Sequence, residues 1–207
     1  MFKQAQPILH SPSRLCQYYL ETVYQRIAAP CPAPSTNKGL ISETYGEVLY
    51  HSLCQLIHNY TFNENDILFD LGSGTGRIAL PFFLLTSLRQ VCGIEILPAP
   101  HHIASQAANI IQQELPGFYK NQRRLSFLLG SFLDIPIDHA TVLFISATCF
   151  DPSLMYSLSK LINCLERVHT VFTLRPLPNL KRLVFKKVIS LECSWDSALC
   201  YVYGYNR

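Results

Sequence analysis

The chain has 207 residues, 49% of them hydrophobic and 15% charged, with a formal net charge of +3. That length accommodates one ordinary domain with a short appendage and is cramped for two, and so small a charged fraction excludes disorder over most of the chain. No apolar run reaches the roughly 18 residues that a membrane helix needs, because the best one, from Ile78 to Leu88, is interrupted by Pro81, Thr86 and Ser87.

The first fourteen residues carry Lys3 but no apolar core followed by a small-residue cleavage site, so an intracellular, soluble protein of the cytoplasm or nucleus is expected; secretion into a host cell stays open. The eight cysteines contain no Cys-x-x-Cys pair, and several sit in apolar runs where a thiol acts as a small hydrophobe. Neither a zinc site nor a disulfide framework is expected. The mild basic excess tolerates an acidic partner without implying nucleic acid.

In chain order, the spacing of Leu15, Tyr18, Tyr19, Val23 and Ile27 predicts a helix over residues 13–27. The breaker-rich stretch PCPAPSTNKG follows, so residues 1–40 form a helical arm and linker and residues 41–207 the main domain. A second helical pattern opens at Ser42 and Glu43 and runs to Tyr60. From Asp66 onward short apolar runs alternate with helical ones: ILFDL, IALPFFLLTSL, QVCGIEI, residues 99–115, LSFLL, TVLFISA, residues 153–165, HTVFTL. Strands apolar at nearly every position are covered on both faces, as in a parallel sheet between helix layers, so the fold class is α/β. LVFKKVISLECSW and ALCYVYGY break the alternation. Only Asp196 and Ser197 separate them, too few for a crossover helix, so an antiparallel hairpin closes the sheet.

The run from Asp70 through Gly72, Gly74 and Gly76 to Arg77 follows a buried strand and opens a helix. Its glycines permit a tight turn and close approach of a ligand to the backbone. The spacing is GxGxG, whereas a dinucleotide loop has GxGxxG and a phosphate loop has Gly-Lys-Ser/Thr. An acid beside the turn repels a phosphate and accepts from an ammonium, so an amino-acid headgroup is the expected ligand. Glu95, ending QVCGIEI, is placed to accept from both hydroxyls of an adenosine ribose.

These features together resemble the class I S-adenosyl-L-methionine-dependent methyltransferases, a Rossmann-like fold whose seven-stranded, mostly parallel sheet ends in such a hairpin, with helices on both faces. The resemblance implies that Asp70, Gly72, Gly74 and Gly76 hold the methionine part of the cofactor, with Arg77 assisting its carboxylate, and that Glu95 holds the ribose. Within that class the chain resembles the non-SET histone lysine methyltransferases, the disruptor of telomeric silencing family. The resemblance rests on ETYGEVLYHSLCQLI (residues 43–57), on Gly130-Ser131-Phe132-Leu133, and on Ser194-Trp195 before an aromatic last strand ending in Arg207. It implies methyl transfer to a protein lysine, histone or other, with Tyr45, Glu47, Ser131, Phe132 and Ser146 added to the cofactor site. Transfer to lysine needs an unprotonated nitrogen in line with the sulfonium methyl, which an apolar aromatic channel favours by desolvation. Tyr45, Phe150, Trp195 and one of Tyr201 or Tyr203, with Tyr203 preferred, are placed around that channel.

Departures from the family are equally specific. Ser146-Ala147-Thr148-Cys149-Phe150 stands where the histone enzymes have Asn-Asn-Phe-Ala-Phe, which alters the acceptor channel. Ser131 replaces the acid expected to accept from the adenine amino group, a loss of ~1 kcal/mol for one net hydrogen bond. No counterpart of the family's long basic tail is expected within these 207 residues, whose basic clusters are KNQRR at 120–124 and KRLVFKK at 181–187, the second of which is expected to be a solvated face. Two alternatives stay open: a nucleic acid or small-molecule acceptor, and a cofactor-binding interaction protein that has lost catalysis.

Overall fold

The computed structural model describes residues 12–27, 48–194 and 196–205. Five helices and seven strands make up its framework: α1 (Pro12–Arg26), α2 (Tyr50–His58), β1 (Ile67–Leu71), α3 (Ala79–Leu85), β2 (Gln90–Glu95), α4 (Pro98–Glu114), β3 (Arg124–Leu129), β4 (Val142–Ile145), α5 (Pro152–Cys164), β5 (Thr170–Thr173), β6 (Val184–Glu192) and β7 (Ser197–Gly204). The strands form one sheet in the order β3-β2-β1-β4-β5-β7-β6. Every pairing is parallel except those of β7, which runs against both β5 and β6. The expected α/β sheet with its closing hairpin is the observed one.

Alternation along the inner strands divides the core into two layers. Leu68, Val91, Val142, Phe144, Phe172 and Val202 face α1, α2, α3 and α4. Phe69, Leu71, Ile94, Leu143, Ile145 and Val171 face α5 and the loops that follow β3 and β5. Both sides of a residue pair are therefore buried, which is why these strands lack polar alternation. β3 and β6, at the sheet edges, are much more exposed.

Local chemistry sets the helix boundaries. α5 starts where the Asp151 carboxylate accepts from the Leu154 amide at 2.8 Å, with Pro152 in the first turn, where it has no amide to lose. α1 is amphipathic, and its Cys16, Leu20, Val23 and Tyr24 join the same core as α2 and α3. The second helical pattern is shorter than expected. Leu49 is extended (φ −68°, ψ 141°), and its amide donates to Glu192 at 2.8 Å, so Val48 pairs with Cys193 instead of continuing a helix. Residues 42–47 lie outside the described residues.

Candidate functional site

The C-terminal ends of β1, β2, β3 and β4 lie along one edge of the sheet, where ligands bind in open α/β folds. β1 leads into the glycine loop, where Gly72, Gly74 and Gly76 have φ of +80°, +54° and +88°. An L side chain is strained in that region, and a Cβ on Gly76 would also come within 2.8 Å of the Phe127 ring. The loop is pinned by backbone bonds: the Gly72 and Ser73 amides both donate to Ile94 at 2.9 Å, and the Gly76 amide donates to Ser73 at 2.9 Å.

Two carboxylates flank this loop and differ sharply in their surroundings. Glu95 accepts from the Gly74 amide at 2.7 Å on one oxygen and from the Leu97 amide at 2.9 Å on the other. Each oxygen keeps a lone pair for a further donor. Asp70 is 1% exposed, and neither of its carboxyl oxygens has a hydrogen-bond partner among the described residues. Burial first, and the charge of Glu95 second, push its carboxyl up to about 8, against a weaker opposing pull from the Ala79 amide at the start of α3, which points its dipole toward the carboxyl without making a hydrogen bond of normal geometry to it. A buried acceptor without a donor is costly. It becomes favourable when a cation or N–H donor arrives, which is the property wanted of a pocket for an ammonium-bearing ligand.

The other wall is aromatic. Gly130, which follows β3, donates to the Glu95 carbonyl at 2.9 Å and so sets Ser131 and Phe132 beside the end of β2. Phe132 stacks on Phe150, with centroids 5.7 Å apart and planes 29° apart. The Phe150 ring tip lies 3.4 Å from where a Cβ on Gly72 would stand, so Phe150 packs against the loop and Phe132 stacks on Phe150. Ser131 Oγ accepts from the Leu133 amide at 3.1 Å, a turn-forming role that differs from accepting an adenine amino group. Ser146 leads from β4 into a short 3-10 turn, Ala147–Cys149, that delivers Phe150. Two residues not anticipated from the sequence adjoin these groups. Ile96, directly after Glu95, is 60% exposed, and Arg175, after β5, donates from its guanidinium to the Phe150 carbonyl.

The remaining expected residues distribute as follows. Arg77 lies against α1, its guanidinium 4.3 Å from the centroid of the Tyr24 ring. The Val48–Cys193 bridge brings the residues just after Tyr45-Gly46-Glu47 against the hairpin end that precedes Trp195. Tyr45, Glu47 and Trp195 themselves lie outside the described residues. Tyr203 is not brought to the site edge: it pairs with Val171, is buried, and its hydroxyl accepts from the Leu177 amide at 3.1 Å. Tyr201, opposite Thr173, is one strand repeat nearer. The basic clusters are partly structural. Arg123 donates to the carbonyls of Phe83, Thr86 and Leu88. Arg182 donates to those of Leu165 and Glu166, and Lys187 lies over the Tyr60 ring. Among the described residues no helix is long and apolar enough to cross a membrane, and no group of three or more His, Cys, Asp or Glu could hold a metal ion.

The family described as "Histone methylation protein DOT1" matches residues 32–191. The chain belongs to the DOT1 family. Among curated proteins, the H3 lysine-79 specific histone-lysine N-methyltransferase of Caenorhabditis elegans is 28% identical over 182 residues, covering 84% of this chain and 19% of that protein. The enzyme of the same description from Drosophila melanogaster is 25% identical over 150 residues, covering 70% of this chain and 8% of that protein. The chain therefore spans about a fifth or less of these DOT1 relatives. Among solved structures, the RNA methyltransferase of Salinibacter ruber in complex with S-adenosyl-L-homocysteine superposes with a TM-score of 0.51 at 20% identity, covering 84% of this chain and 94% of that one. That likeness establishes the class I methyltransferase fold for this DOT1 member. The glycine loop, the orphaned Asp70 carboxyl and the doubly bonded Glu95 fit the nucleoside that the fold class carries.

Proposed function

We propose that this DOT1-family chain transfers a methyl group from S-adenosyl-L-methionine to a lysine of a protein, with a histone in the nucleus as the first acceptor to test. One observation carries the reading: a buried carboxyl at Asp70, without a hydrogen-bond partner among the described residues, beside the three positive-φ glycines and a second carboxylate. In this reading Asp70 accepts from the ammonium of the methionine part and Glu95 from the ribose hydroxyls. Phe132 and Ile96 bound the adenine. When bound, the cofactor would supply an electrophilic sulfonium methyl to an unprotonated lysine nitrogen, with neutral S-adenosyl-L-homocysteine as the leaving group and water as the acceptor of the lysine proton.

The chain's own task is placement and desolvation. Phe150, fixed through its carbonyl by Arg175, forms an apolar wall against which a lysine loses hydration and with it part of its proton affinity. Tyr45, Trp195 and Tyr201 are the further aromatics assigned to that wall. Incubation with methyl-labelled cofactor, nucleosomes, free histones and a cell extract is expected to place label on lysine of a protein. Label confined to RNA or small molecules overturns the assignment. A second reading, binding without transfer, is favoured by Ser146 and Ala147 standing where the histone enzymes have two asparagines. Calorimetric binding with no label on any acceptor distinguishes it.

A further inference from the structure

Three glycines within five residues leave the loop with little conformational preference of its own, so its shape depends on bonds from outside. One of these comes from a distant part of the chain. Tyr24, on the buried face of α1 and 6% exposed, donates from its hydroxyl to the Thr75 carbonyl at 2.9 Å. Thr75 stands between Gly74, whose amide is bonded to Glu95, and Gly76, whose amide is bonded to Ser73. The Thr75–Gly76 peptide is thus held at its carbonyl by α1 and at its amide by the loop itself. The Tyr24 ring also carries the guanidinium of Arg77, the residue through which the loop passes into α3.

We propose that Tyr24 is a positioning residue for the glycine loop, and that docking of α1 and binding of the nucleoside are coupled through it. The proposal rests on the cofactor reading above. Tyr24 touches no reacting atom; it fixes the peptide whose neighbour, Gly74, orients the Glu95 carboxylate. Coupling of this kind is reciprocal: a ligand that orders the loop tightens α1 to the same degree.

The test pairs two hydroxyl deletions on one helix. Tyr24→Phe removes the bond to Thr75 and keeps the ring under Arg77. Tyr19→Phe removes a bond of similar length, 3.0 Å, from α1 to Glu114 of α4, away from the loop. Calorimetry with S-adenosyl-L-homocysteine, well below the thermal midpoint of each protein, is expected to show affinity weakened about three- to tenfold for Tyr24→Phe and within about twofold of wild type for Tyr19→Phe. Amide hydrogen exchange over residues 74–77 is expected to quicken in Tyr24→Phe alone, and the ligand to slow exchange in α1 of the wild type. Unchanged affinity in Tyr24→Phe, or an equal loss in both variants, overturns the coupling while leaving the cofactor reading standing. A wild-type chain that does not bind the nucleoside overturns both.

Discussion

Replacing Asp70 by Asn removes a titrating group whose folded and unfolded environments differ more than those of most carboxyls. In the folded chain burial and Glu95 hold it up to about 8, whereas its ordinary value is 3.8. Between these values the folded protein keeps a proton that the unfolded chain has released. Because the folded value is the higher, the stability this group contributes is complete below the unfolded value and is lost as pH rises through the folded one. Asp70→Asn keeps the shape without the titration, at a pH-independent cost of roughly 1–3 kcal/mol for a buried amide in a site built for a carboxyl. The unfolding free energy of the variant minus that of wild type is therefore expected to rise by about 1.4 kcal/mol per pH unit, or ~3 kcal/mol from about pH 5 to about pH 7.5. Urea unfolding of both proteins across that range measures it, with other titrating groups cancelling in the difference. Saturating S-adenosyl-L-methionine should flatten the slope, since an ammonium beside Asp70 favours its charged form. A difference that stays constant over the range, within roughly 0.5 kcal/mol, refutes the assignment of Asp70 as a buried and uncompensated acid.

Three further perturbations follow from the same geometry. A Cβ on Gly93, in the middle of β2, would stand 2.4 Å from the Phe127 ring and 2.6 Å from Ser73 Oγ, so Gly93→Ala is expected to lower the unfolding free energy by about 1–3 kcal/mol through overpacking; urea unfolding unchanged from wild type would show that the ring has room to move. Phe132→Ala deletes a stacking face at the adenine position and should weaken S-adenosyl-L-homocysteine binding about tenfold, ~1–2 kcal/mol, as read by calorimetry, an unaltered affinity removing Phe132 from that role. At the opposite edge of the sheet, burial raises the Asp66 carboxyl, but His169 at 2.8 Å, the Asn63 amide at 2.8 Å and Thr141 at 2.9 Å more than offset this and hold it below the usual range. Its stabilisation is present above the ordinary carboxylate value and is lost as pH falls through the lower folded one. The cost of Asp66→Asn, about 1–3 kcal/mol near neutrality, should shrink in acid, and a cost that grows there contradicts the assignment.

The sheet and the loop were legible in the sequence because backbone constraints select residue types there. Positive φ at positions 72, 74 and 76 demands glycine, and burial on both faces demands unbroken apolar runs, so GxGxG after ILFDL marked both the strand and its ligand edge. The hairpin was legible because the two strand patterns stand too close for a crossover helix; the link between β6 and β7 is residues 193–196, two longer than the pattern suggested. What the sequence concealed depended on long-range geometry. Tyr24 and Thr75 are 51 positions apart, and nothing local in α1 distinguishes Tyr24 from Tyr19. Tyr201 and Tyr203 share a face because side chains alternate with period two; only the register with β5 shows which lies nearer the site edge. KNQRR presents as a charge cluster, yet Arg123 is committed to the carbonyls that end α3 and precede β2. The extension of helix past Leu49 failed for a similar reason: strand pairing with the hairpin outcompetes a helical propensity that apolar spacing alone suggests.

The central claim is that the edge formed by Asp70, the glycine loop and Glu95 accepts a cationic amino-acid nucleoside. Calorimetric titration of the full chain with S-adenosyl-L-methionine, and in parallel with ATP and NAD, tests it most directly. The expected result is saturable binding of S-adenosyl-L-methionine that Asp70→Asn abolishes, with no heat from ATP or NAD; binding of either diphosphate in place of the sulfonium nucleoside contradicts the claim.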